Sequence, residues 1–182
     1  MERTKRSTRI LLIGLAAAGK TTLGELLSQR TGLPVHRLDD LRRALSDGTE
    51  AGDALARSAF LRACGLPEPA IYEFSAAGSR RAAVRQALSE GGHPLVTAWI
   101  DTPAAVRRER LAARPNTVPL PNWGARPPGI EETMEATLRS DFEVGWWAEP
   151  PGWRAIRLDG TRPTQELAGL VEVAWREARG VR

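Results

Sequence analysis

Between an apolar run ending at Ile13 and a helix-like stretch starting at Lys20 lies the segment Gly14-Leu15-Ala16-Ala17-Ala18-Gly19-Lys20-Thr21. It fits the pattern G-x-x-x-x-G-K-[ST] and stands where that pattern works, after a strand and at the mouth of a helix. The glycines allow backbone conformations that turn amides inward around phosphate oxygens, and the helix N-terminus adds partial positive charge there. The loop positions Gly14, Ala16, Ala17, Ala18 and Gly19, with Lys20, Thr21 and Thr22, are the expected nucleotide contacts. Lys20 is expected to reach the β- and γ-phosphates of ATP, and the Thr21 hydroxyl to ligate Mg²⁺. All but two of the 26 basic residues are arginines, and one of the two lysines is Lys20. A compact ammonium suits a nest of phosphate oxygens better than a planar fork does.

The rest of the chain alternates short strand-like runs with longer helical stretches. Strands are expected at 8–13, 34–38, 70–74, 95–100 and 154–158. Helices are expected at 20–30, from 39 with a break near Asp47-Gly48 and resumption over 50–63, and then at 79–90. Others open at Pro103 in a first-turn position, run over 130–144, and close the chain over 163–179. This pattern predicts one domain over 1–182: an α/β three-layer sandwich around a five-stranded, mainly parallel sheet. Right-handed crossovers then gather the strands' C-terminal ends on one edge, at Gly14, Asp39, Ser75 and Asp101.

Composition excludes some classes. No apolar run approaches the roughly 20 residues of a membrane span, and the basic N-terminus runs too quickly into the loop for a signal peptide. Cys64 is the only cysteine, which rules out an internal disulfide. A cytoplasmic location is expected. The net charge of +4 invites a nucleic-acid partner, but the basic residues are scattered and aromatics are few, so nucleic acid is disfavoured. Nothing in the sequence sets an oligomeric state.

Away from the loop, Asp39 and Asp40 close the second predicted strand beside the γ-phosphate, where a carboxylate prepares an acceptor hydroxyl or holds Mg²⁺ through water. Asp39 is preferred, and the competing role is a helix cap. Glu73, on the third strand, is the nearest thing to a metal-supporting acid and a candidate substrate contact. The segment Ser75 to Arg81 follows that strand and offers a hydroxyl, amides and arginines to the acceptor. Arg42, Arg43, Arg57 and Arg62 are available to an anionic substrate, with Arg43 assigned to it, although each also reads as a surface residue. His36 and His93 lack partners at metal-ligand spacing, and Trp146 and Trp147 read as packing residues.

The loop, its spacing to LPVHRLDDL, and the stretches DTPAAVRRERLAAR and RLDGTRPTQEL resemble the adenylate-kinase-like small kinases of the P-loop superfamily. The nearest echo is the DNA-topology-modulation group, with shikimate and gluconate kinases more distant. The first 43 residues carry most of the likeness, and residues 45–92 match nothing specific. The topology-modulation group typically has an aromatic residue shortly after its aspartate, where this chain has Leu41, Arg42 and Arg43. The resemblance implies a P-loop NTPase fold with a short lid at about 114–129, and ATP- and Mg²⁺-dependent phosphoryl transfer to a small-molecule hydroxyl or phosphate. Arg107, Arg110 and Arg114 fall on one face of the lid-entry helix. Arg110 and Arg114 are the expected clamp on the transferring group, and Trp123 lies in the lid. A nucleotide-dependent switch or NTPase, and a nucleic-acid-associated ATP-binding protein, are the alternatives.

Overall fold

A computed structural model describes residues 8–76, 80–114 and 129–180; the expected lid, with Trp123, falls almost wholly outside them. The five strands are β1 (Arg9–Ile13), β2 (Val35–Arg37), β3 (Ile71–Phe74), β4 (Leu95–Asp101) and β5 (Trp153–Asp159). The helices are α1 (Lys20–Thr31), α2 (Leu38–Leu45), α3 (Glu50–Gly65), α4 (Arg81–Glu90), α5 (Ala104–Ala112), α6 (Ile130–Glu143) and α7 (Thr164–Ala178). The strands form one sheet in the order β2-β3-β1-β4-β5. All four pairings are parallel, so "mainly parallel" becomes wholly parallel among the described residues.

A parallel sheet is covered on both faces, so its central strands must be apolar on both. β1 meets that demand, being buried along its whole length. Its side chains alternate between two cores. Ile10 and Leu12 join Val96, Ala98 and Ile100 under α1 and α7. Leu11 and Ile13 join Tyr72, Phe74 and Trp99 under α3, α4 and α6. Trp147 is wholly buried in the second core and Trp146 packs on it, as expected. The order reverses direction around β1, because β3 lies on one side and β4 on the other. The loop leaving β1 therefore opens into the crevice at the strands' carboxyl ends.

Some boundaries differ from the sequence reading. β2 ends at Arg37, and the helix has already begun at Leu38, which puts Asp39 and Asp40 inside the first turn of α2. There they face the positive helix end; the cap position belongs to Arg37. Pro103 and Pro163 each stand one residue before their helices, with extended ψ of 143° and 138°, rather than in the first turn. Among the described residues α4 starts at Arg81. The break between α2 and α3 lies where Asp47-Gly48 suggested. Asp47 accepts from the Thr49 amide and hydroxyl, and Thr49 caps α3 by accepting from the Gly52 amide. No described helix is long and apolar enough to cross a membrane.

One buried charge holds two helix ends to the sheet. Arg9, on β1, is 1% exposed. Its guanidinium donates to the carbonyls of Cys64 (2.9 Å), Leu66 and, at 3.4 Å, Leu88. These are the C-terminal carbonyls of α3 and the last turn of α4, where partial negative charge collects and intrahelical donors run out. Arg9→Met should therefore lower unfolding stability by about 3 kcal/mol in urea melts, because it leaves buried carbonyls without donors. A loss under about 1 kcal/mol would show that water replaces the guanidinium.

Candidate active site

Strand and helix geometry dictate the shape of the loop. Gly14 has φ +151°, and a side-chain carbon there would stand 2.8 Å from the Ile100 carbonyl oxygen. Only glycine lets the loop pass so close to β4. Gly19 ends the loop at φ 106° and starts α1, whose first turn holds no acidic residue to offset its positive end. Ala17, between them, is left-handed at φ 60° although it is not a glycine. β4 and α5 hold the loop from outside. The Thr102 hydroxyl donates to the Ala18 carbonyl at 3.1 Å, and the Arg110 guanidinium donates to the same oxygen at 3.2 Å.

Lys20 turns its ammonium into this loop and donates to the carbonyls of Gly14 (2.9 Å) and Leu15 (3.0 Å). Burial pushes its pKa below the usual value. The charges of Glu73 and Asp39 oppose that shift, and those of Arg114 and Arg107 add to it. The same balance shows which groups share the site's field: Asp39 and Arg114 both act on Lys20.

Beside the lysine, the Thr21 hydroxyl donates to Glu73 Oε1 at 2.7 Å. Glu73 is 8% exposed, and its other oxygen accepts from Arg37 Nε at 3.0 Å. This pair fits a magnesium ion. The Thr21 proton points to Glu73, so a lone pair of the same oxygen remains for a hard cation. Among the described residues no group of three His, Cys, Asp or Glu could hold a metal. An ion here would draw most of its oxygens from phosphates and water, as magnesium at nucleotide sites does. Glu73 and Thr21 were each singled out in the sequence, but not the hydrogen bond between them, and Arg37 was not singled out.

The two aspartates part company. Asp40 is exposed and pairs with Arg43 at 2.9 Å and Arg37 at 3.4 Å. Asp39 pairs with Arg42 at 3.2 Å. Arg43 is itself half-exposed and engaged with Asp40, away from the cavity described next.

A cavity of about 440 Å³ lies between α2, α3, the end of β3 and α4. Leu38, Phe60, Leu61, Phe74 and Val84 give it an apolar wall, and Arg42, Arg57 and Arg80 give it charge. Ser75 also lines it; residues 77–79 of the segment 75–81 lie outside the described ones. Arg42 and Arg57 are therefore lining residues rather than surface ones, whereas Arg62 is exposed. The available signal was weak. Arg57 sits three residues before Phe60 and four before Leu61, the spacing of one helix face.

The three lid-entry arginines also diverge. Arg107 is 4% exposed. It donates to the Thr102 carbonyl at 3.1 Å and to Glu135 at 3.2 Å, with Glu131 at 3.6 Å, so it braces α5 against α6. Arg110 bridges the Ala18 and Gly160 carbonyls, the latter at 2.8 Å, joining the loop to the β5–α7 turn. Arg114 is exposed at the end of the helix, where its charge still reaches Lys20.

The family described as an AAA domain matches residues 10–124, the stretch from β1 through the loop to beyond α5. The chain belongs to that family. None of the curated proteins compared with it matches. Among solved structures, a gluconokinase from Sinorhizobium meliloti is 19% identical, with 97% of this chain and 95% of that one covered at a TM-score of 0.65. Shikimate kinase from Aquifex aeolicus is 20% identical over 93% and 96% at 0.60. The Mycobacterium tuberculosis APS kinase in complex with AMPPNP and APS is 18% identical over 94% and 98% at 0.56. At these identities the likeness is one of fold: the AAA-family chain has the architecture of the P-loop small-molecule kinases, the fold expected from its sequence.

The left-handed Ala17 gives a direct test of the loop. Ala17→Gly should relieve the clash of a β-carbon at positive φ and raise stability by about 0.5–1 kcal/mol, net of glycine's greater unfolded-state freedom. Thermal melts of the two proteins check it, and a destabilised glycine variant would contradict the loop conformation.

Proposed function

We propose that the protein transfers the γ-phosphoryl group of ATP to a hydroxyl or phosphate group of a small molecule. One observation carries this reading: Asp39, whose charge is felt by the loop lysine Lys20, is paired with Arg42, an arginine that lines a separate cavity. A switch or simple NTPase has no need of a second binding site, whereas a phosphotransferase must hold an acceptor in line with the γ-phosphate. The fold-neighbour carrying both AMPPNP and APS supports two such sites in this architecture.

In this reading the loop amides and Lys20 neutralise the β- and γ-phosphates. Thr21 holds the magnesium ion, with Glu73 fixing the hydroxyl; the ion would supply charge neutralisation at the phosphates. Asp39 accepts a hydrogen bond from the acceptor hydroxyl and takes its proton as the oxygen attacks phosphorus. Arg114 meets charge spreading over the equatorial oxygens. Arg110 is tied to two carbonyls, so its part is to keep the loop and the Gly160 turn in register, and Arg114 is the stronger candidate for the clamp.

Coupled measurement of ADP release over a panel of hydroxylated metabolites, nucleosides and nucleotides tests the proposal. With an acceptor in hand, Asp39→Asn should lose about 10²-fold in turnover while still binding ATP, whereas Asp40→Asn stays near wild type. Arg114→Ala should lower kcat at least about tenfold with little change in ATP affinity. A crippled Asp40→Asn beside an active Asp39→Asn would reverse the assignment. Steady ATP hydrolysis that no small molecule affects would replace the proposal with the NTPase reading.

A further inference from the structure

Three guanidiniums that line the cavity converge on a single carboxylate, that of Asp53. Arg42 Nε lies 2.7 Å from Asp53 Oδ1, Arg57 pairs with Oδ2, and Arg80 reaches the same oxygen at 3.5 Å. They come from three elements: α2, α3 and the residue capping α4. Arg42 divides itself between Asp53 and Asp39, and Asp39 is also shared electrostatically with Lys20.

The balance of charge and donors is uneven. A carboxylate offers about four acceptor positions, and three guanidiniums present about fifteen N–H donors. Arg42, Arg57 and Asp53 are each under one-fifth exposed at the side chain, so water meets only part of that demand. Burial, then the neighbouring charges of Arg80 and Arg42, hold the Arg57 pKa below its usual value, against a smaller opposing pull from Glu50. Packing like charges together is unfavourable unless an anion offsets them, and the apolar wall beside them lowers the local dielectric and strengthens any such attraction.

We infer that the acceptor carries an anionic group of its own, a carboxylate or a phosphate ester, which binds Arg57, Arg42 and Arg80 while its hydroxyl turns to Asp39. This rests on the phosphoryl-transfer reading and narrows it. The rest of the acceptor meets Phe60, Phe74, Leu61 and Leu38, and among the described residues Ser58 and Ser75 are the only lining residues with a side-chain hydroxyl. That wall fits a ring or hydrocarbon body and leaves the hydroxyls of a polyol largely without partners. In the reaction the acceptor oxygen bonds to the γ-phosphorus, and the bond from that phosphorus to the bridging oxygen breaks, releasing ADP. The hydroxyl proton passes to Asp39.

The test fills the phosphate loop with AMPPNP and Mg²⁺, then titrates inorganic phosphate and, separately, malonate while following the arginine Nε–Hε resonances by NMR. Saturable shifts are expected at Arg57 and Arg80, with affinity at least about tenfold weaker in Arg57→Met. Arg80→Met, at a side chain 56% exposed, should also weaken binding. AMPPNP affinity should be unchanged in both. Absent shifts in the wild-type protein, or equal affinity in the variants, would overturn the inference. Matched alcohols then separate the sources: ADP release with a carboxylated or a phosphorylated alcohol, and little with the neutral counterpart, is expected. Equal turnover of the neutral alcohol overturns the anionic acceptor but leaves phosphoryl transfer standing. Failure to bind AMPPNP at all brings down the earlier reading itself. Where no alcohol is turned over, the titration decides alone.

Discussion

The carboxylate of Glu73 joins the parts of this molecule that have to agree with one another. One oxygen accepts from Thr21, the first hydroxyl after the loop lysine, and the other from Arg37, the last residue of β2. Arg37 reaches on to Glu25 and Asp40. A single buried acid on β3 thus fixes the start of α1, the end of β2 and the turn into α2. A buried carboxylate with both oxygens engaged is expensive to disturb, since removing one partner leaves the others desolvated and unpaired. The loop is correspondingly held on its far side by Thr102 and Arg110, through the Ala18 carbonyl. What lies between these two braces is backbone geometry: two glycines at positive φ and one alanine forced to join them.

Arginine dominates the rest of the electrostatics, and it does so in three different ways. Arg9 and Arg107 are buried; Arg9 donates to three backbone carbonyls, and Arg107 donates to one carbonyl and pairs with two glutamates. They are struts. Many others form exposed ion pairs, such as Arg162 with Glu166 and Arg176 with Glu172, which contribute little to stability. The set around Asp53 is neither, because its charge is half-buried and in excess. The one lysine among the described residues stands in the loop. The division follows from chemistry: the planar fork reaches several oxygens at once, and the compact ammonium fits inside the narrow loop.

The sequence made the loop legible because everything it needs lies within eight consecutive residues and their flanking elements. It also made the sheet legible, since strands buried on both faces read as short apolar runs. The acid Glu73 was visible as an isolated carboxylate in such a run, but its hydrogen bonds to Thr21 and Arg37 depend on the register of β2, β3 and the loop, which no local pattern encodes. Arg107, Arg110 and Arg114 looked equivalent from spacing alone. Their different fates were set by α6 and by the Gly160 turn, both distant in sequence. The cluster at Asp53 was hidden for the same reason: Arg42, Asp53, Arg57 and Arg80 meet only when α2, α3 and α4 pack around one space.

If the Lys20 ammonium serves phosphates rather than the core, the fold should survive without it. Its two hydrogen bonds in the folded chain go to loop carbonyls at the edge of the crevice, and burial costs its charged form rather than favouring it. The most direct measurement is phosphoryl transfer from ATP by Lys20→Ala alongside its thermal melt. The expected variant melts within a few degrees of wild type and transfers no phosphoryl group above background. A folded variant that turns over at the wild-type rate would contradict that role for Lys20.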